Sequence, residues 1–488
     1  MNNIFDKLKN YSDSDYYAFH MPGHKRNLDL IDGTSPYRID ITEIDGFDDL
    51  HHAEGILRDA QERAARVYHA DETHFLVNGS TVGILSAILG TTEKGDSILV
   101  ARNCHKSVYH AIYLNELDPV YLYPKFDTEQ GLSTEIDAAD VQKALEEHPK
   151  IRAVMIVSPT YDGVVSDIEK IAEIVHAKGC PLIVDEAHGA HFGFDPYFPK
   201  SANIYGADLV INSLHKTLPA LTQTALLHVN GDMVKRRKVK QYLDMLQTSS
   251  PSYILMASID ACIGMLEETL ETHSDARSDY KYKNIFSEYA NRIEALRKDL
   301  KRLKYLKIIQ TDNTDRYDRS KFVISVKHAP MSSHELYEIL LHRYHLQMEM
   351  LAGTYVLAMT TVGDTQEGLD RLRDALLEID KEIDTRQGRP AAIETDLPLS
   401  GRQPALEKVW TIAEAVNRRD KIQKRSFEDS IGCISVEYAY LYPPGSPLIV
   451  PGERITKEAV EILQWYQEHD FSIEGLQSED GIEVWIDG

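Results

Sequence analysis

The sequence predicts an α/β protein: a large domain on a mainly parallel sheet, then a smaller α/β domain and a C-terminal domain. Three observations predict it. Short continuous apolar runs alternate with helical patterns from Asp59 onward, as in strands buried on both faces by crossover helices. Two more apolar runs after Lys304 each lead into a helical pattern. A Pro- and Gly-bearing stretch, RQGRPAAIETDLPLSGRQP, then interrupts the alternation and reads as a linker.

Taken in order, the first sixty residues are polar and punctuated, and are expected to form an irregular arm with short helices. The helix DAQERAARVYHA opens the regular alternation. Expected strands are THFLVNGS, DSILVARN, PVYLYP, RAVMIVSPT, PLIVDEA and ADLVINS, with helices such as TVGILSAILGTT, HKSVYHAIYLNEL and DVQKALEEH between them. A helix-rich segment covers Pro251 to Lys304, followed by the strands KFVISVKH and TYVLAMTTVG. Helices are expected around Val409 and Val460, beside the loop YPPGSPLIVPGE. The expected divisions are 1–58 for the arm, 59–265 and 266–383 for the large and small domains, 384–400 for the linker and 401–488 for the C-terminal domain.

Composition excludes several function classes. The 488 residues carry a formal net charge of −24, which disfavours a nucleic-acid binder and suits a cationic small molecule. No apolar run is long enough to span a bilayer, and the first residues lack the pattern of a secretory signal, so a cytoplasmic location is expected. Cys104, Cys180, Cys262 and Cys433 are scattered and suggest neither disulfides nor a thiolate zinc site. His188 and His191 near Asp185 and Glu186, or His51 and His52 near Glu54, lack metal-ligand spacing, so no metal is expected. The letters DEAH occur without a preceding GxxxxGK[ST], which removes an ATPase reading.

Ligands of open α/β sheets bind at the carboxyl ends of the strands, and here those ends carry a distinctive set. THFLVNGS runs through Gly79, Ser80 and Thr81 straight into a helix, whose free N–H groups and hydroxyls suit a phosphate. DSILVARN opens into His105, PLIVDEA ends at Asp185 with His188 behind it, and ADLVINS leads to Ser213, His215 and Lys216. Taken singly, each has an ordinary explanation. A strand-end lysine reaches for solvent, Asp185 caps a helix, and His105 is a surface or capping histidine. Together they match one chemistry, that of pyridoxal 5′-phosphate. Its aldehyde needs a deprotonatable lysine, its ring nitrogen a carboxylate, its phosphate a helix N-terminus, and its face a stacked ring. The interval from Asp185 to Lys216 fits neighbouring strands joined by a crossover.

With HMPGHK, FDDLHHAEGIL, FLVNGST, RNCHKS, SPTYDGVVSDI, VDEAHGAHF, SLHKTLPALTQ, TSSPSY and YPPGSPLIVPGE, the chain resembles the Orn/Lys/Arg decarboxylase family over nearly its whole length. The resemblance implies the aspartate-aminotransferase-like fold (pyridoxal-phosphate fold type I), in the short form found in Gram-positive arginine and lysine decarboxylases. It implies that Lys216 bonds the cofactor, Asp185 binds the pyridine nitrogen and His105 stacks on the ring. Gly79, Ser80, Thr81, Ser213 and His215 would hold the phosphate, with His188 near the ring hydroxyl. The site would lie at a homodimer interface, Thr248 and Ser249 approaching the partner's phosphate and the arm from His20 to Lys25 lying nearby.

The fold does not choose the reaction. In TYVLAMTTVGDT the position where many aminotransferases of this fold place a carboxylate-binding arginine holds Leu357 and Ala358, which favours loss of CO₂. The expected reaction is decarboxylation of a basic amino acid, arginine first, then lysine, then ornithine, with Lys216 or His215 returning a proton to the α-carbon. Another pyridoxal-phosphate enzyme, such as an aminotransferase or aldolase, is the alternative. Glu437, Glu453, Asp45 and Asp48 are candidates for recognising the substrate side chain.

Overall fold

A computed structural model describes residues 14–20, 23, 25, 27, 40–127, 129–271, 282–309, 316–385, 403–418, 421–442 and 446–486. Most of the expected linker and the Pro-Gly core of YPPGSP lie outside them, as do His24 and Arg26 of the arm.

Seven strands form the main sheet: β1 Glu72–Leu76, β2 Ser97–Ala101, β3 Asp118–Leu122, β4 Ile151–Val157, β5 Leu182–Asp185, β6 Leu209–Asn212 and β7 Ala225–Val229. Their order is β1-β7-β6-β5-β4-β2-β3. All lateral pairs from β6 to β3 are parallel, and only β7 runs against both its neighbours. The six expected strands are present. The seventh, ALLHV, was not anticipated. After β6 the chain makes a single helical turn, Leu214–Thr217, and reverses through Gln223 at φ 86, so β7 returns with no crossover helix to announce it.

Helices α1 Ile56–Val67, α2 Gly79–Thr91 and α3 Lys106–Leu114 position the first half of the site. The α2 helix is apolar nearly all round and almost wholly buried. A Cβ at Gly83 would lie 2.6 Å from Leu76 Cδ1, and one at Gly90 2.7 Å from Val239 Cγ2. Those two glycines let α2 lie close on the sheet and on the helix Arg236–Leu246.

A second sheet, antiparallel throughout, contains β8 Lys307–Ile309, β9 Lys321–Ser325, β10 Met350–Ala352 and β11 Tyr355–Met359 in the order β8-β9-β11-β10. Phe322, Ile324, Val356 and Ala358 face the large core shared with helices Tyr253–Glu271 and Ile285–Leu300, whereas Val323, Leu357 and Met359 face a smaller cluster with Leu132. That is the two-residue alternation of a sheet covered on both faces. The arm contributes a strand, Tyr17–Phe19, parallel to Leu346–Met348. The last region, expected to be helical, also builds two three-stranded sheets around a core of its own, with helix Lys457–Glu468 capped by Thr456.

One fully buried ion pair ties this last region to the main sheet. Arg102, just past β2, donates from Nη2 to Glu453 Oε2 at 2.8 Å and to the Leu448 carbonyl at 3.0 Å. Both side chains are fully buried, and the guanidinium lies 4.7 Å from the centre of the Tyr121 ring. Burial opposes charge at both ends and is the largest single influence on Arg102, but the Glu453 carboxylate and the surrounding tyrosines together outweigh it and hold that pKa above its ordinary value. Removing one partner of such a pair strands the other charge. Glu453→Ala is therefore expected to lower stability by roughly 3–5 kcal/mol, read as a shift in urea midpoint. The double replacement Arg102→Met, Glu453→Leu should recover most of the loss, and an unshifted midpoint in the single variant would refute the clamp.

Candidate active site

The carboxyl ends of the main sheet open into a cavity of about 230 Å³. It lies where strand order reverses between β4 and β2, the position open sheets use for ligands. Four parts of the chain wall it: strand ends and helix starts of the main sheet, the hairpin of Phe126, Gly131 and Ser133, the β10–β11 turn at Gly353 and Thr354, and C-terminal residues that include Gln403, Leu448 and Tyr466.

Ser80, His105, Asp185, His188 and Lys216 all line this cavity. Lys216 occupies the single helical turn after β6, partly exposed to the cavity, with Nζ 3.1 Å from His188 Nε2. Burial lowers its pKa against the pull of Asp185 and Glu349. Asp185 ends β5 with 3 % of its surface exposed. Its carboxylate accepts one hydrogen bond, from the Ala187 N–H at 3.1 Å, and burial raises its pKa while the Lys216 ammonium opposes the rise. His105 is the N-cap of α3 and accepts from the Ser107 N–H, so the bland reading and the site reading both hold for it. Its pKa is lowered by partial burial first and by the Lys216 ammonium second.

The remaining expected residues surround the cavity without lining it. Gly79 starts α2 at φ +75, a backbone conformation that favours glycine. Asn78, at the N-cap, makes no capping bond because its side chain accepts from the Thr248 N–H at 3.1 Å. The Gly79 N–H donates to the Gln223 carbonyl at 3.0 Å, and the N–H groups that follow it in the first turn of α2 are left for a ligand. Thr81, Thr248 and Ser249 are exposed, and His215 is held by the Thr224 carbonyl at 2.8 Å. Ser213 is fully buried, and its Oγ has no partner among the described residues.

Four expectations about the substrate side chain are corrected, since none of those carboxylates lines the cavity. Glu453 is consumed by Arg102 and the Val450 N–H. Glu437 accepts from the Gln477 and Glu483 N–H groups. Asp48 gathers the N–H groups of Asp49, Glu54, Gly55 and Leu57, and Asp45 is exposed. Leu357 and Ala358 are fully buried in the second sheet, and the cavity meets that sheet at Thr354 and Tyr355 instead. Among the described residues no arginine lines the cavity.

Asp162 was missed. It lines the cavity with 7 % of its surface exposed and accepts from the Tyr355 hydroxyl at 2.5 Å. Lys321 was missed too: fully buried at the start of β9, it reaches His188 Nδ1 at 3.4 Å. The signal was available, because KFVISVKH, like INSLHK, sets an ammonium against an apolar run.

The groups present fit pyridoxal phosphate. Asp185 is a buried carboxylate with room for a further donor, α2 offers an uncapped amino terminus, and Ser213 Oγ and Asn103 Oδ1 are buried acceptors without partners among the described residues. Among those residues no group of three His, Cys, Asp or Glu side chains could hold a metal ion.

A strand-end lysine beside a carboxylate on the adjacent strand, over a helix amino terminus, defines the fold-type-I pyridoxal-phosphate enzymes, and solved structures of that fold superpose well. The lysine decarboxylase LdcF of Francisella novicida aligns at TM-score 0.78 and 19 % identity, covering 99 % of this chain and 80 % of that one. Lysine decarboxylase A from Pseudomonas aeruginosa gives TM-score 0.78 and 20 % identity, again covering 99 % and 80 %. At these identities the likeness is one of fold. The chain belongs to the Orn/Lys/Arg decarboxylase family, whose major-domain model matches residues 2–338 and whose C-terminal model matches 402–484. YaaO of Bacillus subtilis is 36 % identical over 468 residues, covering 94 % of this chain and 93 % of its own. The arginine decarboxylase of Bacillus subtilis is 31 % identical over 469 residues, covering 94 % and 92 %. This is thus a pyridoxal-phosphate-dependent amino-acid decarboxylase. Among the described residues, no helix is long and apolar enough to cross a membrane.

Burial pushes the Asp162 pKa from 3.8 up to about 6, against the Tyr355 hydrogen bond and the Lys321 ammonium. An acid with a raised pKa contributes stability that is complete below 3.8 and is lost as pH rises through about 6. Asp162→Asn, which keeps an acceptor for Tyr355, should gain on the wild type by roughly 2–3 kcal/mol between about pH 4 and pH 7. Urea unfolding at the two pH values measures this, and a constant wild-type-to-variant difference would contradict it.

Proposed function

We propose that this protein decarboxylates L-arginine to agmatine in the cytoplasm, with lysine and then ornithine as the next candidates. The observation that carries arginine is the near full-length likeness to proteins named arginine decarboxylase, seen again in Bacillus anthracis at 31 % identity over 490 residues. The lysine reading has narrower support: the Pseudomonas aeruginosa lysine decarboxylase LdcA is 25 % identical, over 54 % of this chain.

When bound, pyridoxal phosphate supplies an aldehyde and a ring that accepts the electron pair left as CO₂ departs. Lys216 is the residue that bonds it, a role for which a lowered pKa is required. Asp185 keeps a proton on the ring nitrogen, and the burial that raises its own pKa makes it seek that partner. With the cofactor bound, His105 would cover its ring, His188 would lie near the ring hydroxyl, and Gly79, Ser80, Thr81, Ser213 and His215 would hold the phosphate. Among the described residues no arginine lines the cavity to clamp a substrate carboxylate, which supports the loss of CO₂. Lys216 Nζ or the His215 imidazole would return a proton to the α-carbon.

The working unit is a homodimer with shared sites. Thr248 and Ser249 are exposed beside the start of α2, at the phosphate end, and would meet the partner subunit there.

Release of labelled CO₂ from carboxyl-labelled arginine, lysine and ornithine tests the substrate. Arginine should turn over fastest without any keto acid; a keto-acid requirement would indicate an aminotransferase. Lys216→Ala should lose both visible cofactor absorbance and turnover, with its melting temperature little changed. Borohydride reduction followed by peptide mapping should place the adduct on Lys216.

A further inference from the structure

The His188 imidazole is held between two amines. Nε2 lies 3.1 Å from Lys216 Nζ, and Nδ1 lies 3.4 Å from Lys321 Nζ. The ring packs on Tyr161 with centroids 4.4 Å apart, and only 6 % of the residue is exposed. Burial, with the ammonium groups of Lys216 and Lys321, drives its pKa well below the ordinary value, so the ring is neutral. A neutral imidazole has one N–H and one lone pair. It can bond both lysines only if one of the two amines is neutral and accepts its N–H.

The two lysines differ in access. Lys216 opens on the cavity, whereas Lys321 is fully buried. The charged groups around Lys321 are Asp318 and Glu349, which favour its ammonium form, and Lys216 and Lys25, which oppose it; Asp162 also faces it. Around Lys216 they are Asp185 and Glu349, with His105, His188 and His215. Asp318 Oδ1 accepts from His191 at 3.1 Å and from Ser320, while Oδ2 has no partner among the described residues. Burial is the largest influence on Lys321 and brings it to about 8, so both its forms are accessible near neutrality.

We propose that Lys321 is a positioning residue that stores the proton of Lys216, exchanged through His188. The Lys216 ammonium passes a proton from Nζ to His188 Nε2 while the Nδ1 proton moves to the neutral Lys321 amine. The imidazole changes tautomer, no net charge is created, and Lys216 is left as the free amine. The reverse transfer recharges Lys216. This rests on the reading in which Lys216 bonds the cofactor, and it concerns the stage at which the Lys216 amine is unlinked.

The test is the rate at which apoprotein takes up pyridoxal phosphate at Lys216, followed by visible absorbance across pH. Lys321→Met and Lys321→Arg should each slow uptake at neutral pH by about tenfold and move the rate profile up by about one pH unit, since neither side chain can take the proton. Arginine separates this from a charge effect. A permanent cation near Lys216 would lower its pKa and speed uptake, so a Lys321→Arg variant as fast as wild type or faster overturns the proposal. Should either variant melt early, His188→Phe, which keeps a ring against Tyr161 and removes both nitrogens, should show the same slow, shifted uptake; a wild-type profile there overturns it as well. A borohydride adduct found away from Lys216 in the wild type would instead remove the cofactor assignment, and the relay with it.

Discussion

The cavity exists because a buried cation next to β2 is answered by a carboxylate from the far end of the chain. Arg102 and Glu453 are both fully buried, and the same guanidinium also holds the carbonyl of Leu448, a residue of the cavity wall. Two charges taken out of water hold their place only when they meet with good geometry. That requirement sets the C-terminal sheets over the strand ends and turns an open crevice into an enclosed site. Arg102 Nε and Nη1 and Glu453 Oε1 make no bond among the described residues, so the pair specifies position at some cost in stability.

In and behind the cavity wall the same physical cause acts in opposite directions on acids and bases. Burial lowers Lys216, Lys321 and His188 and raises Asp185 and Asp162. A protein of net charge −24 thus keeps lysines here that are ready to give up protons, beside carboxylates that seek a partner. Amine chemistry on a cofactor needs both.

Strand-end residues were legible because a parallel sheet obeys local rules. Asp185 and Lys216 stand at the ends of apolar runs, and parallel pairing of β5 with β6 brings those ends together whatever the rest of the chain does. Gly79 to Thr81 were legible for the same reason, at a strand that passes directly into a helix. The returning strand β7 was not, since an antiparallel insertion leaves no crossover to count. Glu437, Glu453 and Asp48 were misjudged because a carboxylate looks the same in sequence whether it faces a ligand or satisfies backbone N–H groups.

By itself the sequence determined the alternation of strand and helix, the main sheet's parallel character, and the chemistry gathered at its carboxyl edge. These depend on periodicities of two and 3.6 residues and on residue types at element ends. Tertiary structure alone decided that Asp162 lines the cavity, that Lys321 stands behind it against His188, that the C-terminal segment walls it, and which carboxylates are already spent. Those outcomes depend on burial and on distances between residues remote in the chain, which are set only when the sheets pack against one another.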